Sequence, residues 1–202
     1  MHETRLTLAR SEFILGGQKS GKSRRAETLA RDWLAQSPEH RAVLIATAQP
    51  WDEEMRQRIA RHQADRAERV PGMHTVEEPL ALAEQITELS RPDTLLVVDC
   101  LTLWLTNWMM PMAPENDDTY ITNRPLAPVS IASIAMLLVA IEAVPGPVVL
   151  VGNEIGLGVI PMGSEVRAFV DALGRLNQDV ARVCQRVTLM AAGLPLSLKD
   201  AS

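Results

Sequence analysis

Aromatic residues make up only 3% of the 202-residue chain, and cysteine occurs twice, at Cys100 and Cys184. Two thiols so far apart form neither a CxxC pair nor a disulfide framework, which excludes a disulfide-stapled fold and suits a reducing compartment; a cytoplasmic location is expected. Positive charge is in deficit: 20 Lys and Arg against 25 Asp and Glu leave a net charge of -5. The broad positive field that non-specific nucleic-acid binding needs is therefore missing, and no nucleic-acid partner is expected. The chain also lacks a long apolar run. Its best stretch, 129–151, is broken by Ser130, Ser133, Glu142 and Pro145-Gly146-Pro147, so no span of about 20 apolar residues exists and no membrane segment is expected. The polar start, MHETRLTLARSEF, carries no signal-peptide core. No internal repeat or low-complexity tract is visible. What is present, 47% hydrophobic and 22% charged residues, is ordinary globular composition at a length that fills one buried core. The expectation is a single domain over 1–202, with 1–11 as an N-terminal extension.

Apolar spacing sets out the elements. Residues 12–15 form a short apolar run ending at Gly16-Gly17, followed by a segment in which Ala26, Leu29, Ala30 and Leu34 recur at helical spacing. Strand, glycine loop and helix follow in that order. Residues 42–46 read as a strand, 51–69 as a solvated helix, 75–76 as a short strand, 80–89 as a helix and 94–100 as a buried strand that includes Asp99. Residues 111–128, rich in Pro, Asn, Asp and Thr, read as a surface excursion within the domain. A helix over 131–143, a strand over 148–152, a helix over 165–186 and a last strand over 187–191 complete the order. Strands apolar throughout that alternate with helices predict a mostly parallel sheet with helices on both faces, an α/β fold that binds ligands beyond the carboxyl ends of its strands.

The chemistry begins at Gly16-Gly17-Gln18-Lys19-Ser20-Gly21-Lys22-Ser23, which satisfies GxxxxGK[ST] between a predicted strand and a predicted helix. Glycines let backbone N–H groups wrap phosphates at a helix N-terminus, the Lys22 ammonium reaches β/γ-phosphate oxygens, and the Ser23 hydroxyl is a ligand for Mg²⁺. Asp99, at the end of its strand, is placed as the acid that holds Mg²⁺ or its water, which predicts a P-loop NTPase fold of the RecA-like kind. A P-loop specifies nucleotide binding and leaves the second substrate open.

Further residues narrow the choice. Ile45-Ala46-Thr47-Ala48, Asp52-Glu54-Met55, Arg58-Ile59 with His62 and Arg66, Thr75-Val76-Glu77, Asp99, and Asn153-Glu154-Ile155-Gly156-Leu157-Gly158 with Pro161 occur in that order, and the pattern extends through Gly174, Arg175, Asn177 and Gln178. With the P-loop upstream, this pattern closely resembles the bifunctional adenosylcobinamide kinase/adenosylcobinamide-phosphate guanylyltransferase family of cobalamin biosynthesis, over nearly the whole chain. The resemblance implies phosphorylation of the aminopropanol hydroxyl of adenosylcobinamide, then transfer of GMP from GTP to adenosylcobinamide phosphate through a guanylylated histidine. The RI-x-x-H match puts that histidine at His62, with Arg58, Arg61 and Arg66 to counter developing negative charge. It implies nucleotide contacts from Gly16, Gly17, Gln18, Lys19, Ser20, Gly21, Lys22 and Ser23, from Ala46, Thr47 and Ala48, from Gln63, Ala64, Asp65 and Arg66, and from Glu77 and Asp99. GTP and ATP are the implied nucleotides, Mg²⁺ the implied ion, and a homotrimer the implied assembly. Glu77 has the acceptors to meet the guanine N1 and N2 donors.

His2, His40 and His74 match nothing and read as surface residues. The segment 67–74 is longer than is usual in that family and has Met73 where a Trp is usual, which predicts a displaced loop before Glu77. Trp104, Trp108, Met109, Met110 and Met112 form an apolar cluster that reads as core or as a subunit contact. Two other readings remain on the residues alone: a small-molecule P-loop kinase without nucleotidyl transfer, and a regulatory module switched by bound nucleotide. RI-x-x-H and NE-x-G-x-G argue against both, because neither a kinase phosphate loop nor a switch requires them.

Overall fold

A computed structural model describes residues 8–50, 52–111 and 131–200, the side chain of Arg58 excepted. The excursion at 111–128 thus lies outside the described residues, Pro111 apart. In chain order the elements are β1 (Ser11–Gly16), α1 (Lys22–Leu34), β2 (Arg41–Ala46), α2 (Glu53–Arg69), β3 (Met73–Glu77), α3 (Leu82–Leu89), β4 (Thr94–Asp99), α4 (Leu101–Met109), α5 (Ile131–Ala143), β5 (Val148–Asn153), α6 (Ser164–Val183), β6 (Arg186–Ala191) and β7 (Leu194–Lys199). The strands form one seven-stranded sheet in the order β3-β2-β4-β5-β1-β6-β7. Every pairing is parallel except β6 with β7.

Helices cover both faces, as continuous apolar strands require. On one face Ile14, Leu44, Val97 and Val151 pack against Ala26, Leu29 and Ala30 of α1. On the other, Phe13, Ile45, Leu96 and Leu150 meet α3, α4, α5 and α6 through Ile86, Trp104, Ile141 and Leu173. One carboxylate lies inside this frame. Glu12, fully buried in β1, accepts hydrogen bonds from Arg25 at 3.0 Å and Thr188 at 2.9 Å and pairs with Arg186 at 3.4 Å. A charge that deep is tolerated because its oxygens are all met.

Two expectations are corrected. Residues 8–11 are tied to the domain and are not an extension: Leu8 packs against the core, Ala9 is buried, Ser11 opens β1, and the exposed Arg10 donates to the carbonyl of Glu142 at 2.9 Å. The strand at 187–191 is not the last, because the chain turns at Ala192-Gly193, both with positive φ, and returns as β7. Two consecutive positive φ values fit the right-handed twist of a tight hairpin. Of the two readings of the Trp104 to Met112 cluster, core holds for most of it: Trp104, Leu105 and Met109 are buried in the helix α4, Met110 is exposed, and Met112 lies outside the described residues.

Candidate active site

The parallel register lines up the carboxyl ends of the strands. Glu77, Ala46 and Asp99 share one level across β3, β2 and β4, and Asp99 pairs with Val151 of β5. Asn153 of β5 pairs with Gly16 at the mouth of the phosphate loop. The longer 67–74 segment does not take Glu77 off this level: α2 runs to Arg69, and Glu77 still ends β3 opposite Ala46.

The loop after β1 is held from both sides. The Gly16 carbonyl accepts from the N–H of Glu154 at 3.1 Å, and the Ser20 carbonyl accepts from Gly193 at 3.0 Å. Gly16 must be glycine, since a Cβ there would stand 2.5 Å from both the Met190 carbonyl oxygen and Ser20 Oγ. Gly21, the cap of α1, has φ 101°, a left-handed value that launches the helix from the loop. Lys22 is buried, and its Nζ donates to the Gly17 carbonyl at 2.6 Å. The buried Ser20 hydroxyl has no hydrogen-bond partner among the described residues, so it is a donor left for a ligand oxygen. Gln18 and Lys19 are exposed, and Ser23 is half-buried on the first turn of α1.

Helix α2 lies beside α1. Asp52 caps it by accepting from Met55 N at 2.7 Å, and Arg69 pairs with Glu27 of α1 at 3.1 Å. Between these anchors Arg66 is half-buried; desolvation pushes its pKa down, opposed by the nearby carboxylates of Asp99 and Glu27. Arg66 thus lies within electrostatic reach of Asp99. The structure also brings Gln63 to Glu77, whose Oε1 accepts from Gln63 Nε2 at 3.4 Å. His62, one turn before Arg66, is solvent-exposed, as is Ala64, and Asp65 is paired with Arg69 at 3.2 Å.

Thr47 is fully buried, and its hydroxyl is committed to protein: it donates to the Cys100 carbonyl at 2.7 Å and accepts from Cys100 N at 2.9 Å. Its flanking residues Ala46 and Ala48 stay half-buried at the strand end. Asn107 is a residue that sequence reasoning missed. Its amide, 2% exposed on α4, donates to the carbonyls of Thr47 at 2.8 Å and Pro79 at 3.0 Å, tying together the loops after β2 and β3. A lone amide in the apolar run LTLWLTNWM was the available signal. Burial, and then Asp99 next door, push the Cys100 thiol up to about 12, so it stays protonated and is no rival nucleophile. His40 is stacked on Trp33 with ring centroids 3.7 Å apart, a structural role, and His74 is exposed on β3.

Strand, glycine loop and helix, with an acid ending a strand one removed from the loop, define a P-loop nucleotide-dependent transferase. The model of the family described as cobinamide kinase / cobinamide phosphate guanyltransferase matches residues 12–198. The chain belongs to that family and is a bifunctional cobinamide kinase and guanylyltransferase of adenosylcobalamin biosynthesis. It is 44% identical over 189 residues to the bifunctional adenosylcobalamin biosynthesis protein CobP of Pseudomonas aeruginosa, covering 93% of this chain and 96% of that one. It is 33% identical over 187 residues to CobU of Escherichia coli K12, covering 93% and 98%. Among solved structures, a protein of Pyrococcus horikoshii OT3 is similar with TM-score 0.52 at 9% identity, covering 98% of this chain and 90% of that one, a likeness of fold alone. No described helix is long and apolar enough to cross a membrane.

Proposed function

We propose that the two reactions share the phosphate loop and that His62 carries GMP between them. The observation that supports this most directly is the hydrogen bond from Gln63 to Glu77 at 3.4 Å, because Gln63 follows His62 on α2 and Glu77 ends β3 level with Ala46 and Asp99. In the kinase step the aminopropanol hydroxyl of adenosylcobinamide attacks the γ-phosphorus of ATP or GTP and the nucleoside diphosphate leaves, with Lys22 exchanging the Gly17 carbonyl for phosphate oxygens. In the second step an imidazole nitrogen of His62 attacks the α-phosphorus of GTP and pyrophosphate leaves. A phosphate oxygen of adenosylcobinamide phosphate then displaces the imidazole and takes the GMP. The protein acts in the cytoplasm on this reading, which its two buried, unpaired cysteines support.

Ser23 and Asp99 would hold Mg²⁺. They are hard oxygen donors, and among the described residues no group of three or more His, Cys, Asp or Glu side chains is gathered for a metal, so phosphate oxygens and water would complete the coordination, as Mg²⁺ prefers. The ion neutralises charge on the β- and γ-phosphate oxygens when bound.

Incubation with Mg²⁺ and α-labelled GTP tests the reading. One GMP per chain is expected on a bond that survives base and is cleaved by acid, at His62, and γ-label is not expected to stay on the protein. A label on small molecules alone would favour a simple kinase; no label anywhere would favour a switch.

Glu77→Ala is expected to reduce discrimination between GTP and ATP by about tenfold, while weakening triphosphate binding itself by less, since a lost guanine contact is worth about 1–2 kcal/mol. Competition binding of the two nucleotides checks this, and equal loss for both would refute a guanine contact. The chain is also expected to self-associate, as a trimer on the family resemblance. The apolar side chains of Leu194, Leu196 and Leu198, exposed on the edge strand β7, support an oligomer. Light scattering that returned a monomer at micromolar concentration would remove the oligomer.

A further inference from the structure

The kinase step releases a proton from the acceptor hydroxyl, and none of the residues assigned above is suited to take it. Lys22 is a cation, Ser23 and Asp99 are committed to the ion, and His62 serves the other half-reaction. Other carboxylates at this end of the sheet follow β2 and β3, three and four strands away from the phosphate-loop strand β1. Asp52 caps α2, Glu78 accepts from the N–H groups of Leu80 and Ala81 at 2.8 and 2.7 Å, and Glu77 ends the edge strand β3 against Gln63.

Glu154 is different. Strand β5 runs between the phosphate-loop strand β1 and the Asp99 strand β4, so the residues that leave its carboxyl end emerge between the phosphates and the ion-binding acid. Glu154 is the residue whose N–H donates to Gly16. Its half-buried carboxylate is aimed by two donors: Gly156 N at 2.9 Å on Oε1 and Asn177 Nδ2 at 3.4 Å on Oε2. Asn177, 4% exposed on α6, also donates to the Asn153 carbonyl at 3.1 Å, and its own Oδ1 has no partner among the described residues. A buried amide left half-satisfied costs stability that an apolar residue would not, which points to a positioning role for its NH₂ on residues 153 and 154. Just beyond Glu154 the chain exposes Ile155, Leu157, Val159, Ile160 and Met162. This apolar surface suits the broad faces of a corrinoid macrocycle.

We propose that Glu154 is the general base of the kinase step and that Asn177 positions it. The hydroxyl oxygen forms its bond to the γ-phosphorus, the bond from that phosphorus to the β,γ-bridging oxygen breaks, the nucleoside diphosphate leaves, and the hydroxyl proton passes to the Glu154 carboxylate. After release of product the proton returns to water. This assignment rests on the bifunctional activity, and GMP transfer measured on the same preparation separates a failure of one from a failure of the other.

The test is Glu154→Gln, which keeps size and hydrogen bonding but cannot accept the proton. Phosphorylation of adenosylcobinamide from γ-labelled nucleotide is expected to fall about 10²–10⁴-fold in kcat, the range of a lost general base. The acid limb of the kcat–pH profile should vanish with it. GMP transfer to preformed adenosylcobinamide phosphate should stay within about threefold of wild type, since it needs no proton from a hydroxyl. Glu154→Asp should recover part of the kinase rate. Asn177→Ala should lower kinase kcat about tenfold, keep the acid limb and spare GMP transfer. Kinase turnover of Glu154→Gln within about threefold of wild type would overturn the assignment, because even the smallest general-base effect exceeds that. Loss of both activities in a folded Glu154→Gln protein would also overturn it, making Glu154 a brace of the phosphate loop. Absence of GMP transfer in the wild type would instead count against the bifunctional reading.

Discussion

His62→Ala is expected to reduce the protein–GMP adduct to background, a loss of about 10⁴-fold or more, because it deletes the nucleophile and not merely a contact. At least part of the cobinamide kinase rate should survive, since Lys22, Ser23 and Asp99 are all left in place. The histidine lies on an exposed face of α2, so its removal opens no cavity and folding should be unaffected. Acid-labile label retained from α-labelled GTP is the readout, with kinase turnover measured in parallel. Undiminished labelling would sink the assignment. His74 would be the next residue to test, although it stands on β3 opposite Val43, near the amino end of the strand and away from the carboxyl ends that form the site. Loss of both activities in a folded variant would mean that His62 orients nucleotide for both steps.

Lys22→Ala is expected to lower cobinamide phosphorylation by at least about 10²–10³-fold, the scale on which one preorganised group matters to a charged transition state. The physical basis is the ammonium's position. It is buried within the loop and held on the Gly17 carbonyl at 2.6 Å, so a triphosphate entering the loop meets a cation already positioned by the loop's own backbone. Single-turnover kinetics with γ-labelled nucleotide check the effect independently of product release. Near wild-type turnover would mean that the transferred phosphoryl group binds elsewhere.

The two variants divide the site between α1 and α2, and the division also marks how far the sequence could be read. The phosphate loop is a local object: eight consecutive residues, GGQKSGKS, carry their own backbone requirements. Gly16 and Gly21 occupy conformations or spaces that a side chain would spoil. Asp99 was equally legible, because an acid that closes a wholly apolar strand stands where buried backbone meets solvent. The core helices were readable for the same reason, since apolar spacing along α1 reports which side faces the sheet.

β7 was missed because its residues are all exposed and Pro195 interrupts its pattern. An edge strand tolerates that proline, since one side of its ladder is open, and the alternating Leu194, Leu196 and Leu198 were its remaining signal. Helix α4 was seen as a cluster of apolar residues without its helical form, since its apolar residues run nearly all round the helix and show little periodicity. In both cases a local pattern was overruled by the neighbours the fold supplies.

By itself, then, the sequence determined the order of the strands and helices apart from α4 and β7, the phosphate-loop motif, the place of Asp99 at a strand end and, through the pattern around His62, the family. Those properties are set by consecutive residues or by a fixed period, and each is encoded where it acts. Only the tertiary structure decided the sheet order, which inserts β5 between β1 and β4 and carries Glu154 to the phosphate loop. It alone committed the Thr47 hydroxyl to Cys100 and set Asn107 and Asn177 as buried ties between loops distant in sequence. A hydrogen bond that joins residue 177 to residue 154 has no periodic signature, because its partners are chosen by packing of α6 against the sheet and not by anything local to either segment.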